Sequence, residues 1–272
     1  MPDSSLPQIL STIDLWPVPH AACAVIHSGE VVASHGETDR VFRLASISKV
    51  ITAWACLIAV EEGSVSLDDA VGPQGSTLRH CLAHAAGYGF DTSNPIMGVG
   101  KRRIYSNTGI ETAARHITER TGMTFADYMN EAIFEPLGMT SALAKCDEAG
   151  NFVGSSYVYA TARDFLKFGE LYMNGGSVVV HGTRRQLLPD YWVNHARTVV
   201  ANDPVTETQY GAHWWVWPQC ENSLVATGYE GQYTVVIPEK QLVMVRLGKT
   251  DTSLRPAVMH QLQQIALKVT NL

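Results

Sequence analysis

The segment Phe42-Arg43-Leu44-Ala45-Ser46-Ile47-Ser48-Lys49 joins a short strand-like stretch to a long apolar one. Residues 48–62 are apolar on nearly every side, which predicts a helix buried in the core and ended by Gly63. Ser46 therefore lies where this helix begins, beside backbone N–H groups that have no helical partner. Lys49 follows three residues later, so we expect it on the same helix face, within reach of the Ser46 hydroxyl.

This spacing indicates a nucleophile and its activating base. A lysine at the mouth of an apolar helix loses hydration, which lowers the pKa of its amine towards that of a useful base. Ser-x-x-Lys occurs once in the chain. On this motif alone the alternative stays open, namely a serine that caps a helix beside a solvated lysine.

A second group of polar residues is Tyr105-Ser106-Asn107, in a loop before a predicted helix at residues 110–120. A tyrosine hydroxyl can relay a proton between serine, lysine and leaving group. An asparagine amide can hold both a lysine and a substrate carbonyl. Tyr-x-Asn recurs at residues 128–130 and 172–174, but there it falls within or at the end of predicted helices. We therefore interpret Tyr105 as catalytic and Asn107 as substrate-binding.

The third group is Ala226-Thr227-Gly228-Tyr229, at the end of a predicted strand near the C-terminus. Glycine in a strand permits close approach of the backbone to a ligand. The N–H groups of Tyr229 and Ser46 are candidates for an oxyanion hole. An ordinary strand that ends in a turn is the alternative.

Taken in order, Ser46-x-x-Lys49, Tyr105-Ser106-Asn107 and Thr227-Gly228 resemble the class C β-lactamase and esterase branch of the penicillin-binding families. The run Ile133-Phe134-Glu135-Pro136-Leu137-Gly138-Met139 is similar to that family as well, and the resemblance extends over most of residues 20–250. It implies a β-lactamase/transpeptidase-like fold and a serine hydrolase. Ser46 would form an acyl-enzyme with a small ester or amide, most simply as a carboxylesterase without a cofactor. The general base is then Lys49 or Tyr105.

One departure from the family bears on the substrate. The family's third motif commonly begins with Lys or His, a cation that meets a substrate carboxylate, and here the residue is Ala226. We therefore expect neutral esters to be preferred. A β-lactamase or D-amino-acid peptidase is one alternative, and a catalytically weak scaffold that binds a ligand or penicillin is another. If the strand directs residue 226 into the cleft, Ala226→Lys would improve acylation by a penicillin. Residues 101–103 are basic and either replace the missing charge or form a solvated loop.

The order of predicted elements indicates an α+β fold. Strand patterns occupy both chain ends, with a hairpin at residues 21–34 and a strand at 210–217, and helical patterns fill the middle. We predict one domain with an antiparallel sheet flanked by helices. Its sheet lobe comprises about residues 1–62 and 205–272, and an all-helical lobe of about residues 63–204 is inserted.

Composition excludes several classes of function. The 272 residues carry a formal net charge of −6, which gives no electrostatic reason to bind nucleic acid or an anionic membrane. No apolar run is long enough to cross a bilayer, and the first residues do not resemble a signal peptide.

Five cysteines, without a CxxC, favour reduced thiols and a cytoplasmic protein. His80 and His84 have metal-ligand spacing without an evident third ligand, so we predict no metal. The oligomeric state stays open.

Overall fold

The protein is described by a computed structural model that covers residues 6–148, 152–180, 182–201, 209–217 and 220–270. Its α-helices are α1 Leu6–Ser11, α2 Ser48–Glu61, α3 Leu78–Leu82, α4 Asn107–Thr121, α5 Phe125–Met129, α6 Glu135–Leu137, α7 Ala162–Met173, α8 Tyr191–His195 and α9 Arg255–Thr270. Its strands are β1 Ala21–His27, β2 Glu30–Gly36, β3 Val41–Arg43, β4 Leu143–Ala144, β5 Val158–Thr161, β6 Ser177–Val180, β7 Thr183–Gln186, β8 Trp215–Trp217, β9 Cys220–Gly228, β10 Gln232–Ile237 and β11 Leu242–Gly248.

The main sheet is antiparallel and has the strand order β2-β1-β11-β10-β9-β8. The first hairpin of the chain therefore pairs with its last strand, with Cys23 opposite Arg246. The predicted antiparallel sheet built from both chain ends is confirmed. This topology places β9, which carries Thr227 and Gly228, next to the segment that contains Ser46.

Helices cover both faces of the main sheet. On one face, α1 and α9 bury an apolar layer that includes Leu10, Val235 and Leu262. On the other face, α7 packs against β1, β10 and β11. That second layer continues into the core around α2, where residues from Ser48 to Ala59 are buried. The predicted buried helix after Ser46 is thus confirmed, and it lies behind the candidate site.

The middle of the chain is mostly helical. It also contributes short strands that the predicted all-helical lobe does not include: β4 and β5 join β3 in a small sheet, and β6 and β7 form a hairpin. The expected boundary between residues 204 and 205 lies outside the described residues, so the division into lobes stays a prediction. No helix in the described ranges combines the length and apolarity that a membrane crossing requires.

The predicted strand at residues 210–217 is wrong in its first half, because only Trp215–Trp217 are strand. The Gly211 N–H donates to the Trp214 carbonyl oxygen at 2.7 Å, which closes a turn. Gly211 also lies against Ala196, where a Cβ atom would be 2.1 Å from the carbonyl oxygen. The glycine is thus held in a close backbone contact, and apolar alternation alone does not reveal this.

Candidate active site

Ser46 lies in a single 3-10 turn, Ala45–Ile47, that leads directly into α2. The preceding residue, Ala45, has a φ of 49°, in the left-handed region. A residue with a Cβ atom adopts this backbone conformation only at a cost in free energy. Strand β9 runs beside this turn, and a Cβ atom on Gly228 would lie 2.6 Å from the Leu44 carbonyl oxygen. Glycine at 228 therefore permits the close approach between the strand and the Ser46 turn.

The Lys49 amine lies inside the protein and faces Ser46. Its Nζ atom is 3.2 Å from the Ser46 Oγ and donates to the Ser155 carbonyl oxygen at 2.8 Å. The residue is only 1 % exposed. Burial lowers the pKa of Lys49 to about 7, against the opposing effect of the Glu111 and Asp91 carboxylates. Near neutral pH this amine can therefore release and accept a proton.

The Tyr105 ring closes the site from the other side. The Lys49 Nζ is 4.9 Å from the centre of that ring. Burial raises the pKa of Tyr105 to about 12, while a hydrogen bond with the Ser46 side chain acts in the opposite direction. The ring lies between His84 and Trp215, at centroid distances of 4.4 Å and 6.0 Å. The structure thus brings Ser46, Lys49 and Tyr105 together.

These side chains open onto a pocket of about 310 Å³. Its lining includes the predicted substrate-binding residues Thr227, Gly228 and Tyr229, together with Ser46 and Tyr105. The lining is completed by Phe90, Trp215, Glu230, Gly231, Tyr233, Asp251, Thr252, Arg255 and Val258. Aromatic rings therefore form much of the wall beside Ser46, and charged side chains lie near α9.

One wall of the pocket is the turn between β9 and β10, and a buried arginine holds it. Arg246 donates to the Gly231 carbonyl oxygen at 2.8 Å and also to the Thr250 hydroxyl. The Thr250 N–H donates to the Glu230 carbonyl oxygen at 2.9 Å. The turn that carries Tyr229 is thereby fixed relative to the sheet.

Asn107 lies beside the pocket rather than in its lining. It is the first residue of α4, where Ser106 accepts a hydrogen bond from the Gly109 N–H as the helix cap. The Asn107 Nδ2 donates to Asp91 at 2.8 Å. Its Oδ1 is buried and has no hydrogen-bond partner among the described residues. The expected contact with Lys49 is therefore not made, and a substrate-binding role for Asn107 stays a prediction.

Two further sequence expectations concern charge around the pocket. Ala226 is 2 % exposed and belongs to the core around α2, so the condition set for Ala226→Lys is not met. Arg103 is buried, not solvated, and its guanidinium lies 4.7 Å from the Trp215 ring. It packs behind the aromatic wall of the pocket, whereas Lys101 is exposed.

The two histidines at metal-ligand spacing have structural partners. The His80 Nδ1 accepts from the Thr77 N–H at 3.2 Å, at the start of α3. The His84 Nδ1 accepts from the Ser106 N–H, also at 3.2 Å. Burial holds the pKa of His84 well below its ordinary value, so the ring that contacts Tyr105 is neutral.

Arg255 and the Ser155 carbonyl oxygen are parts of the site that the sequence did not predict. Arg255 begins α9, and its helical pattern gives no sign that it lines the same pocket as Ser46. A backbone carbonyl has no residue signature at all. The role of both groups depends on contacts between parts of the chain that are distant in sequence.

The sequence and structure are similar to those of known β-lactamases and penicillin-binding proteins. The Beta-lactamase family model matches residues 15–267. The structure of a β-lactamase from Mycobacterium bovis is 28% identical, with a TM-score of 0.83, and covers 96% of this chain and 99% of its own. Penicillin-binding protein 4* of Bacillus subtilis is 29% identical over an alignment 136 residues long, which covers 38% of this chain and only 30% of that protein.

More distant structures share the fold. An octameric penicillin-binding protein homologue from Pyrococcus abyssi is 19% identical, with a TM-score of 0.79, over 98% of this chain and 77% of its own. A proposed 6-aminohexanoate-dimer hydrolase from Bacillus anthracis is 20% identical, with the same TM-score, over 93% and 80%. The fold is that of serine hydrolases, and since the family model spans nearly the whole sequence, this chain belongs to the Beta-lactamase family.

Proposed function

We propose that the protein is a serine hydrolase that forms an acyl-enzyme at Ser46 with small neutral esters or amides, in the simplest case a carboxylesterase. The observation that supports this most directly is the buried Lys49 amine, 3.2 Å from the Ser46 hydroxyl and with a pKa of about 7. At neutral pH a large fraction of this amine is unprotonated and can take the proton of Ser46.

In the proposed reaction, the Ser46 Oγ bonds to the substrate carbonyl carbon while its proton passes to Lys49. The Tyr105 hydroxyl, hydrogen-bonded to Ser46, relays that proton to the leaving group as its bond to carbon breaks. Water then attacks the acyl carbon and restores Ser46. Because burial raises the pKa of Tyr105 to about 12, Lys49 is the better base. The N–H groups of Ser46 and Tyr229 are proposed to bind the oxyanion.

The pocket supports a small substrate. Its volume of about 310 Å³ lies at the lower end of the range for small-molecule sites. Phe90, Trp215 and Tyr229 offer apolar area to an acyl chain or an aromatic leaving group. Ala226 supplies no cation from β9. These features favour short neutral esters over substrates that need a carboxylate anchor.

Arg255 favours a second candidate, a hydrolase of β-lactams or of peptides that end in a D-amino acid. Its guanidinium lines the pocket and donates to the Tyr233 hydroxyl at 3.0 Å. Within the described part of the chain it forms no ion pair with an acid, which leaves it available to a substrate carboxylate. Asp251 and Glu230 line the same region and oppose such binding, so we place this candidate second.

A substrate panel tests both candidates. Chromogenic short-chain esters, a chromogenic cephalosporin and a D-alanyl amide are offered to the wild type, to Ser46→Ala and to Ser93→Ala, an exposed control. We expect turnover of esters by the wild type and the control, and loss of turnover and of fluorophosphonate labelling in Ser46→Ala. Ester turnover by Ser46→Ala would refute the nucleophile. Faster cephalosporin turnover would favour the second candidate, and labelling without any turnover would indicate a weak scaffold.

A further inference from the structure

A chain of hydrogen bonds continues from Lys49 away from Ser46. The Ser155 carbonyl oxygen accepts from the Lys49 Nζ at 2.8 Å, and the Ser155 hydroxyl donates to the Glu111 Oε1 at 2.7 Å. Ser155 is 1 % exposed, so water has little access to the bond between the Lys49 Nζ and the Ser155 carbonyl oxygen, whereas Glu111 itself is half-buried. Glu111, on α4, is thereby connected through one residue to the group that orients the Lys49 amine.

Hydrogen bonds hold two neighbouring residues of the segment that carries this carbonyl, Gly154 and Ser155. The Thr52 hydroxyl, one turn beyond Lys49 on α2, donates to the Gly154 carbonyl oxygen at 2.9 Å. Glu111 holds the next residue, Ser155, by its hydroxyl. A lysine side chain has many rotamers, and ordering it costs conformational entropy. An acceptor held between α2 and α4 selects the Lys49 rotamer that faces Ser46.

We propose that Glu111 is a positioning residue for the reaction at Ser46: through the Ser155 hydroxyl it holds the carbonyl that orients Lys49, and it places a negative charge behind that lysine. This inference rests on the function proposed above. It assigns to α4 a role beyond that of carrying Asn107 at its start.

The charges around Lys49 predict how the loss of Glu111 changes the pKa of the Lys49 amine. Glu111 and Asp91 both raise the pKa of Lys49, against the larger effect of burial. Two further groups beside Lys49 are neutral near pH 7: the pKa of His84 is held well below its ordinary value, and that of Tyr105 is raised to about 12. The cationic Arg103 acts on both of these groups, and Glu230, Asp251 and Arg255 line the pocket, but none of these four is changed by a substitution at Glu111. Replacing Glu111 by a neutral residue therefore lowers the pKa of Lys49.

Two variants separate the charge from the hydrogen bond. Glu111→Gln keeps an oxygen that can accept from Ser155 but removes the charge, while Ser155→Ala keeps the charge and removes the link. We expect the acid limb of the kcat/KM profile to move to lower pH by about one pH unit in Glu111→Gln, with kcat on the plateau within about threefold of wild type. We expect Ser155→Ala to keep the limb and to lose about tenfold in plateau kcat at similar KM.

Glu119→Gln is the matched control, because Glu119 is an exposed glutamate on the same helix, about 12 Å further along its axis. It should leave both the limb and kcat unchanged. A limb that moves equally in Glu111→Gln and Glu119→Gln, or in neither, would overturn the inference. So would full plateau activity in Ser155→Ala.

A readout without turnover keeps this test apart from that of the proposed function. The chain has seven lysines, so the side-chain ε-carbons of a ¹³C-lysine sample can be titrated by NMR, with Lys49→Arg to assign the signal. We expect the Lys49 midpoint to fall in Glu111→Gln and to stay in Glu119→Gln. If the wild type turns over no ester, the proposed function fails, while this titration still decides the electrostatic role of Glu111. An unchanged midpoint in Glu111→Gln contradicts that role.

Discussion

Lys49 makes the folded protein less stable because of where its amine lies. Its pKa in the folded state is about 7, below the ordinary lysine value of 10.5. Between these values the unfolded chain binds a proton that the folded chain does not, so the free energy of unfolding rises with pH across this window. Below about pH 7 the folded state bears the full cost of burying the ammonium group.

Replacing Lys49 by methionine should therefore stabilise the protein while abolishing ester hydrolysis. We expect the free energy of unfolding to increase by about 1–3 kcal/mol at pH 6, after allowing ~1 kcal/mol for the lost bond to the Ser155 carbonyl. The gain should be smaller at pH 9. Urea unfolding at the two pH values measures it, with the exposed Lys101→Met as control. A gain that does not depend on pH would contradict the assignment of the cost to the buried charge.

The site residues that sequence could predict are those whose geometry is local. Ser46 and Lys49 are three residues apart on one helix, and that spacing alone brings the amine to the hydroxyl. The Ser155 carbonyl is 106 residues from Lys49 and could not be predicted, because only the packing of the loop against α2 brings it there. Asn107 shows the opposite case: the motif predicts its role, but the start of α4 directs its amide to Asp91.

Helix α7 packs closely on the main sheet, against β1, β10 and β11. Gly169 faces Val243 of β11, where a Cβ atom would lie 2.3 Å from the Val243 Cγ1. Glycine within a helix costs about 1 kcal/mol relative to alanine. A clash with a rigid β-branched side chain in a central strand costs more, typically about 1–3 kcal/mol. Packing therefore outweighs helix propensity at this position.

Gly169→Ala should accordingly lower the free energy of unfolding by about 1–2 kcal/mol, although propensity alone predicts a gain. Val243→Ala should also destabilise the protein, and the double variant should be more stable than the sum of the two effects predicts. Denaturant unfolding of the four proteins measures this coupling. Additive effects, or a more stable Gly169→Ala, would show that α7 has room to move away from the sheet.

Helices and strands could be predicted where the hydrophobic pattern of the sequence is strong. They could not be predicted where contacts between distant residues define them. The hairpin β1-β2 and the buried helix α2 follow from alternation and from uniform apolarity. The pairing of β3 with β5 does not, because it joins Phe42 to Ala160 across most of the intervening helices. The first half of the strand predicted at residues 210–217 is wrong for the same reason. The turn found there depends on the contact of Gly211 with Ala196, which is distant in sequence.

At the scale of the whole molecule, a single buried amide joins the first helix to the last. The Gln261 Nε2, on α9, donates to the Ile9 and Leu10 carbonyl oxygens at 3.1 Å and 3.2 Å and to the Thr12 hydroxyl at 2.8 Å. Gln261 is 3 % exposed. Its loss would remove these three bonds at the end of α1, where the Ile9 carbonyl oxygen keeps the Thr12 hydroxyl as a donor and the buried Leu10 carbonyl oxygen loses the amide.

We expect Gln261→Met, which keeps the length of the side chain, to lower the free energy of unfolding by about 1–3 kcal/mol. The value of kcat should be unchanged, because Gln261 does not line the pocket. Gln263→Met on the same helix is the control. Thermal or urea unfolding followed by far-UV circular dichroism measures the difference. Equal stability of the two variants would mean that α1 is held by apolar contacts alone.

The pairing of β1 with β11 also constrains how the protein is made. On the ribosome, β11 is synthesised about 220 residues after β1. At about 5–20 residues per second, the nascent β1-β2 hairpin waits roughly 10–45 s for its neighbour in the sheet. During translation its unpaired apolar edge is open to other chains, and a chaperone that shields nascent strands has its clearest target there. The strand that carries Thr227 and Gly228 joins a complete sheet only once β11 has emerged from the exit tunnel.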